Sequence, residues 1–235
     1  MNREILITSD GSVTIAIPQL SVTYHSRHGA MQESVHVFIN AGLNHAHQQI
    51  PAGDTIYIFE MGFGTGLNAL LTLQFALQHQ RSVFYQTIEL NPLAIEEVTL
   101  LNYTGLLHNN PLENLFEQMH SAAWNTDVVI DPLFTLHKTK ETLVEKKLNP
   151  DFFHLIYYDA FAPAAQPELW TTTVFEAMSD TLKQDGILVT YCSKGDVRRA
   201  MQAAGFTIEK LKGPPGKREM IRAKKQVPAT KTAET

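Results

Sequence analysis

The feature of this sequence that most constrains its fold is an apolar, strand-like run that leads into closely spaced glycines and then into a helical pattern. The segment reads Ile58-Phe-Glu-Met-Gly-Phe-Gly-Thr-Gly-Leu-Asn68. From Thr55 onward, short apolar runs alternate with longer helical patterns, which is typical of βα units around a parallel sheet. We therefore predict an α/β fold with a doubly wound, mostly parallel sheet.

The apolar runs of this region predict the strands of the sheet. They are Thr55–Glu60, Val83–Glu89, Leu133–His137, His154–Asp159 and Gly186–Cys192, with a terminal pair near Phe206–Leu211 and Glu219–Ala223. Helices are expected between the strands. Three of them have a recognisable start or spacing: Leu67–Gln78, a helix opened by Asn91-Pro92, and a helix over Glu168–Leu182 that begins at Pro167.

The residues before Thr55 differ in pattern from the rest and predict a small cap. Ile5–Thr8 and Val13–Ile17 flank a turn sequence and indicate a β-hairpin. Ser34–Asn40 is expected to begin a helix that ends near Gly42. The predicted organisation is an N-terminal cap with this hairpin over residues 1–50, a main domain over 51–226 and a disordered tail over 227–235.

Composition excludes several classes of protein. Cys192 is the only cysteine, so an intramolecular disulfide and a thiolate zinc cluster are both excluded. His45 and His47 fit no metal-ligand motif and are interpreted as loop residues, so we expect no metal. The sequence contains no apolar run of about 20 residues and no signal-peptide pattern at its start. We therefore expect a cytoplasmic protein.

The charge of the chain is unevenly distributed. The net charge is −5, yet 11 of the 19 Lys and Arg residues and only 4 of the 24 Asp and Glu residues lie from Lys194 onward. Because exposed charges are screened beyond about 10 Å, such a segment can contact phosphates locally although the whole chain is acidic. The alternative is a solvated basic strand and tail without a partner.

The spacing of the glycines distinguishes between cofactors. A dinucleotide fingerprint needs glycine at the first, third and sixth positions, and the sixth position counted from Gly62 is Leu67. The spacing Gly-x-Gly-x-Gly after an acidic residue instead resembles motif I of the class I, Rossmann-like S-adenosylmethionine-dependent methyltransferases. The alternative is a turn that serves only tight strand-to-helix packing. The resemblance implies S-adenosylmethionine as cofactor and these contacts: Glu60, Gly62, Gly64, Thr65, Gly66 and Asn68.

Glu89, at the end of the second predicted strand, is the next cofactor candidate. A carboxylate at this place in a Rossmann-like fold can accept hydrogen bonds from both ribose hydroxyls. The order strand, acid, helix start in Gln86-Thr-Ile-Glu-Leu-Asn-Pro92 favours this role. The alternative is a surface charge at a strand end.

Asp159 ends the fourth predicted strand and precedes a turn rich in proline and aromatic residues. Ligands of doubly wound sheets bind outside the carboxyl ends of the strands, so we expect Asp159 to face the reactive methyl group as the catalytic residue. It could hold an amine in line for methyl transfer and favour the loss of its proton, while Phe161 or Trp170 stacks on a base. The alternatives are an aspartate that caps a turn and a buried tryptophan that anchors the next helix.

Several longer motifs together are similar to the methyltransferase half of the MnmC family, the tRNA 5-methylaminomethyl-2-thiouridine biosynthesis proteins. They occur in the family's order and cover nearly the whole chain: Glu60–Asn68, Asp159–Pro163, Pro167–Thr171, Val197–Arg199 before Ala204–Phe206, and Gly216–Met220, with Tyr24–Phe38 also similar. The resemblance implies methylation of the 5-aminomethyl group of the tRNA wobble uridine. It also implies substrate contacts from Phe161, Pro163 and Trp170.

The resemblance predicts a role in tRNA binding for the basic C-terminal residues. We expect the anticodon stem-loop of tRNA to be the partner and its phosphates to be bound by Arg198, Arg199, Lys217, Arg218 and Arg222.

Two departures from the family pattern matter. Bifunctional members carry an FAD-dependent oxidase domain, for which 235 residues leave no room, so the chain is interpreted as a stand-alone, MnmD-like form supplied by a separate oxidase or another source of the aminomethyl substrate. The family's Gly-Asp after the third strand is replaced by His137-Lys-Thr-Lys-Glu141, so no adenine-binding carboxylate is assigned. Two other functions stay open: methyl or aminopropyl transfer to a small amine or polyamine, and a cofactor-binding module without catalysis.

Overall fold

The computed structural model describes residues 2–107, 111–143 and 148–226. The tail over 227–235, predicted to be disordered, lies outside the described residues. The chain begins with a small antiparallel sheet made of β1 (Glu4–Ile7), β2 (Val13–Ile17) and β3 (Val22–Thr23). The first two strands form the predicted hairpin, because the turn between them is built on Asp10, which accepts hydrogen bonds from Ser12 N and Thr8 Oγ1.

The main sheet has eight strands among the described residues. They are β4 (Ile56–Met61), β5 (Val83–Ile88), β6 (Asp127–Asp131), β7 (Phe134–Thr139), β8 (Phe153–Tyr158), β9 (Leu182–Thr190), β10 (Phe206–Lys212) and β11 (Glu219–Lys225). Their spatial order is β10-β11-β9-β8-β4-β5-β7-β6. The five strands from β9 to β7 pair in parallel and the outer strands pair antiparallel. The predicted doubly wound, mostly parallel fold is confirmed.

Helices cover both faces of this sheet. Their bounds are α1 (Ala30–Ser34), a π-helical segment (Val35–Leu43), α2 (Asn44–His47), α3 (Leu67–His79), α4 (Ile95–Val98), α5 (Tyr103–Leu106), α6 (Pro111–Ser121), α7 (Thr172–Thr181) and α8 (Gly195–Ala203). One apolar cluster includes Leu70, Leu73 and Phe38, and the other includes Phe175 and Met201. No helix of the described chain is long and apolar enough to cross a membrane.

The sheet order determines where a ligand can bind. From β4 the chain continues to β5 and later β7 on one side of the sheet, and then crosses to β8 and β9 on the other. The switch point therefore lies between β4 and β8, and the crevice outside their carboxyl ends is the expected binding place. The two segments with the most specific sequence motifs follow these two strands.

Five local features differ from the predictions. Strand β6 was not predicted, because its three apolar residues stand between two aspartates and one of them, Val129, is exposed at the sheet edge. Asn91-Pro92 does not open a helix, since the carbonyl groups of both residues accept hydrogen bonds from Arg3, and α4 begins only at Ile95.

The helix predicted to begin at Pro167 is divided in two. Pro167–Trp170 forms a 3₁₀ turn, and α7 starts after Thr171, whose hydroxyl accepts a hydrogen bond from Val174 N. His45 and His47, interpreted as loop residues, lie on α2. The predicted helix near Ser34 begins earlier, at Ala30, and the helical segment extends to His47.

Candidate active site

A cavity of about 320 Å³ opens at the carboxyl ends of β4, β5 and β8. Its wall contains the glycine turn after β4, Glu89 after β5 and Asp159 after β8. Residues from the N-terminal cap complete it. The motifs that sequence analysis singled out therefore converge on one site, because the carboxyl ends of neighbouring parallel strands meet at one edge of the sheet.

The glycine turn adopts a backbone that only glycine takes without strain. Gly62, Gly64 and Gly66 all have positive φ, at 90°, 51° and 73°. A Cβ on Gly64 would lie 3.0 Å from a ring carbon of Tyr24, and one on Gly66 would lie 2.8 Å from Nε2 of His120. The turn is packed on both sides, so its glycines bring the main chain against the cavity and start α3 at Leu67.

Glu89 is fixed by main-chain donors. Its Oε2 accepts a hydrogen bond from Gly64 N at 3.0 Å, and its Oε1 accepts one from Asn91 N at 2.7 Å. Each carboxylate oxygen has more than one lone pair, so both oxygens can still accept a hydrogen bond from a ligand in the cavity. This geometry fits a pair of vicinal ribose hydroxyls.

Asn68 connects two carboxyl groups. Its amide nitrogen donates to Oδ2 of Asp159 at 2.8 Å and to Oε1 of Glu60 at 3.0 Å. Asn68 and Asp159 line the cavity, whereas Glu60 is buried behind them, at 1% exposure. The prediction that Glu60 contacts the cofactor is therefore corrected: its carboxyl group supports Asn68 from below.

The two carboxyl groups differ from ordinary surface acids. Burial, reinforced by Glu33, raises the pKa of Asp159 to about 7, although the hydrogen bond from Asn68 opposes the rise. Burial and the neighbouring Asp159 also raise the pKa of Glu60 well above its usual range. A group that changes protonation near neutral pH is suited to accept a proton from a substrate.

The N-terminal cap supplies part of the site, which sequence analysis did not anticipate. Tyr24 lines the cavity, and its ring meets the ring of Phe161 edge to face at a centroid distance of 5.3 Å. His25 Nε2 lies 2.7 Å from the hydroxyl of Thr65 in the glycine turn. Burial lowers the pKa of His25 to about 4, so its imidazole is neutral at pH 7 and acts as a hydrogen-bonding anchor.

The aromatic turn after Asp159 divides into a cavity part and a buried part. Phe161 lines the cavity, whereas Trp170 is buried, donates from Nε1 to the carbonyl of Phe161 at 2.9 Å, and packs against Tyr158. The predicted substrate contact of Trp170 is therefore corrected, because the indole anchors the turn that carries Phe161. Pro163 is half-buried in the same turn, and its side chain is outside the described cavity wall.

Glu141, Thr142 and Leu143, directly after β7, also line the cavity. Sequence analysis assigned no carboxylate here, because the segment lacks the Gly-Asp of the family. Glu141 lies two residues after the end of β7. An acidic residue so close to the carboxyl end of a parallel strand was the sequence signal that could have identified it.

The basic residues predicted to bind phosphate differ in their exposure and in their partners within the fold. Arg198 and Arg199 lie on α8, which follows the carboxyl end of β9, and Arg218 is exposed in the loop before β11. Arg199 pairs with Asp196 on the surface. By contrast, Arg222 donates to Glu209 and to the carbonyl of Ala41, so its guanidinium is already satisfied within the fold and the prediction for it was wrong.

Lys217 also differs from its predicted role. Its ammonium pairs with Glu33, which is buried, and lies 3.9 Å from the centroid of the Tyr191 ring. A cation engaged in this way is a poor phosphate ligand. No group of three or more His, Cys, Asp or Glu residues in the described part of the chain could hold a metal ion.

The chain is similar to known proteins along most of its length. A family model described as S-adenosyl-L-methionine-dependent methyltransferase matches residues 115–226. Over these residues the chain is similar to the S-adenosyl-L-methionine-dependent methyltransferases. It is 30% identical over 233 residues to the tRNA 5-methylaminomethyl-2-thiouridine biosynthesis bifunctional protein MnmC of Cupriavidus metallidurans and 29% identical to that of Burkholderia mallei. The matches cover 94% and 92% of this chain but 34% of each relative, and they confirm the predicted resemblance to MnmC.

Two solved structures share the fold of this chain. The structure of MNMC2 from Aquifex aeolicus superimposes with a TM-score of 0.78 at 23% identity, covering 97% of this chain and 71% of that one. Spermidine synthase from Thermotoga maritima gives a TM-score of 0.55 at 16% identity, covering 96% and 70%.

The cavity fits S-adenosylmethionine, the cofactor of the family whose model matches residues 115–226. A Cβ on Gly64 would press on the ring of Tyr24 in the cavity wall, and Glu89 offers two oxygens for ribose hydroxyls. These residues, with Thr65 and Asn68, would hold the cofactor. When bound, it supplies an electrophilic methyl carbon on a sulfonium.

Proposed function

We propose that this chain is a methyltransferase that modifies the 5-aminomethyl group of the wobble uridine in tRNA, converting it to 5-methylaminomethyl. The observation that carries the proposal is the position of Asp159. This carboxylate lies in the cavity at the switch point of the sheet, is held by Asn68, and faces the same space as the glycine turn and Phe161. The similarity to MnmC proteins supports the choice of substrate.

Asp159 has the properties that methyl transfer to an amine requires. A primary alkylamine is an ammonium ion at neutral pH, and it must lose a proton before its lone pair can attack carbon. An ionised Asp159 attracts the ammonium, orients its nitrogen and accepts its proton. The cofactor, held by the glycine turn and Glu89, would supply an electrophilic methyl carbon for the freed lone pair, and its sulfur would keep the bonding electrons as leaving group. Because the pKa of Asp159 is about 7, it is a far stronger base than an exposed aspartate.

The aromatic pair beside Asp159 is suited to a flat substrate. The rings of Tyr24 and Phe161 stand edge to face at 79°, and both line the cavity. One ring can stack on a base that has left an anticodon loop, where unstacking costs little. Arg198, Arg199 and Arg218 lie near the carboxyl edge of the sheet and would engage the phosphates of the anticodon stem.

A second candidate function is transfer of the methyl group to a small polyamine, and one observation favours it. Four carboxylates and no lysine or arginine stand among the described residues of the cavity wall. They are Glu89, Glu141, Asp159 and Glu168. An acidic cavity attracts any cationic amine, so it suits a polyamine as well as an aminomethyl group. Glu89 already accepts hydrogen bonds from main-chain donors. Fewer carboxylates therefore remain to bind the several positive charges of a polyamine.

The test is incubation of the protein with methyl-labelled S-adenosylmethionine and one of two substrates. The first is total tRNA from cells that lack this protein, and the second is a panel of polyamines. We expect label in tRNA, and after digestion to nucleosides it should be found by mass spectrometry on 5-aminomethyl-type uridines. Asp159→Asn is the matched control for catalysis.

The outcomes separate the three functions. Label only in polyamines supports the second candidate and overturns the tRNA proposal. Binding of S-adenosylmethionine without label in any amine indicates a module without catalysis. Label on a base that carries no aminomethyl group also refutes the proposed reaction.

A further inference from the structure

Chain segments that are far apart in sequence meet beside Asp159 around one ion pair. The ammonium of Lys217, in the loop between β10 and β11, pairs with Oε1 of Glu33 on α1. It also lies 3.9 Å from the centroid of the Tyr191 ring. The hydroxyl of Tyr191 in turn donates to the carbonyl of Ala160 at 2.9 Å. The ion pair is thus connected by direct contacts to the residue that follows Asp159.

The pair is fixed in place from both sides. The side chain of Glu33 is only 7% exposed, and its second oxygen accepts a hydrogen bond from Ser26 N at 2.8 Å. The loop of Lys217 contains Gly216, with a φ of 83°, where a Cβ would lie 2.1 Å from the ring of His28. The close packing of His28 on this glycine joins the loop to the N-terminal cap. Charges held in such a place are less screened than surface charges.

The two partners act on Asp159 in opposite directions. Burial is the main cause of the raised pKa of Asp159. Glu33 raises it further, whereas Lys217 and the hydrogen bond from Asn68 lower it. Asp159 in turn raises the pKa of three neighbouring groups, Glu60, Tyr85 and Tyr191.

We propose that Glu33 and Lys217 form a positioning pair for methyl transfer, which balances the charge beside Asp159 and holds Tyr24 and His25 in the wall of the cavity. The inference rests on the proposed function, because the carboxylate that the pair serves is the proposed proton acceptor. Neither partner is a catalytic residue in this scheme. Removal of one partner leaves an unbalanced charge near Asp159, and its sign depends on which partner is removed.

The opposite signs provide the test. Lys217→Met keeps an apolar stem over Tyr191 and leaves Glu33 uncompensated, so Asp159 should titrate at a pH higher by about one unit. Glu33→Gln keeps an acceptor for Ser26 N and leaves the cation, so Asp159 should titrate lower by about one unit. The double variant should return close to the wild-type value.

The titration is read by carbon-13 NMR of the aspartate carboxyl groups. The signal of Asp159 is identified by its absence in Asp159→Asn. With active enzyme, the acidic limb of the pH–rate profile should move in the same two directions. A purely structural pair would reduce turnover or melting temperature in both single variants and leave the titration unchanged.

Two control variants accompany the test. Lys217→Arg keeps the charge and should preserve the titration of Asp159. Lys210→Met removes an exposed partner of Glu219 on the same hairpin and controls for the loss of one lysine. If Lys217→Met does not fold, Lys217→Gln removes the same charge while retaining a donor to Glu33.

Shifts in the same direction, or no shift in folded single variants, would overturn the positioning pair. The NMR titration needs no substrate, so the two proposals fail separately. Methylation of tRNA without opposing shifts refutes the positioning pair alone. Opposing shifts without methylation of any tRNA amine refute the proposed function alone.

Discussion

Replacement of Asp159 by asparagine should stabilise the protein at alkaline pH while it removes activity. Asn nearly preserves the shape of the side chain and still offers an oxygen to Asn68. Because burial raises the pKa of Asp159 from 3.8 to about 7, the folded protein binds this proton more tightly than the unfolded chain does. The resulting stability is fully present below the unfolded-state pKa of 3.8 and is lost as the pH rises from there through about 7.

The size of the effect follows from that difference in pKa. Roughly three pKa units correspond to about 4 kcal/mol at about 1.4 kcal/mol per unit. Asp159 lies in a cavity that admits water, so screening reduces the penalty and we expect about 1–2 kcal/mol. For a chain of 235 residues, this corresponds to a rise in melting temperature of roughly 2–8 °C.

The assay is thermal unfolding of wild type and Asp159→Asn without ligands, at pH 5.5 and pH 8.5, which are chosen to lie about 1.5 units on either side of the folded-state pKa. We expect the variant to be more stable at both pH values and its advantage to be about twice as large at the higher pH, because the carboxyl group of the unfolded chain is already ionised at the lower pH. Turnover should fall by roughly 10²-fold or more, with little change in cofactor affinity. Glu176→Gln, at an exposed position of α7, controls for the loss of a negative charge. A difference in melting temperature that is the same at both pH values would refute the reasoning.

The other predictions concern cofactor, substrate and tRNA. Gly64→Val strains a positive φ and crowds the cavity, and Glu89→Ala removes a hydrogen-bond acceptor for the ribose. Calorimetry should show that each variant binds S-adenosylmethionine more weakly by roughly 1–3 kcal/mol. Unchanged affinity in both variants would refute the assignment of the cofactor site. Trp170→Phe loses the hydrogen bond to the aromatic turn, so the KM for tRNA should rise while cofactor affinity holds, and an unchanged KM would contradict the anchoring role. Arg198→Glu with Arg199→Glu should weaken tRNA binding and lower the slope of log affinity against log salt by roughly 0.7–0.9 per lost phosphate contact. If the salt dependence of tRNA binding is unchanged, tRNA binds to another face of the protein.

Local sequence patterns were sufficient to predict the residues that form the site at the strand ends. The glycine turn, Glu89 and Asp159 each follow an apolar strand, and in a parallel sheet this order alone brings them to one edge. The start of α3 at Leu67 was predicted to the residue, because glycine spacing and helical periodicity are properties of neighbouring residues. The short apolar run of β6 was missed, since an edge strand between two aspartates has too weak a pattern.

Contacts between distant segments could not be predicted in this way. Tyr24 and His25 enter the cavity because the cap folds back over the glycine turn, and no periodicity in the sequence encodes that packing. The pairing of Lys217 with Glu33, 184 residues apart, changed a predicted phosphate ligand into a partner of the active site. Trp170 turned inward for the same reason: the apolar side chains around it offer burial to the indole, while its N–H reaches a main-chain carbonyl. Spacing along a chain carries local geometry, whereas the partner of a buried charge or ring depends on which surfaces the whole fold brings together.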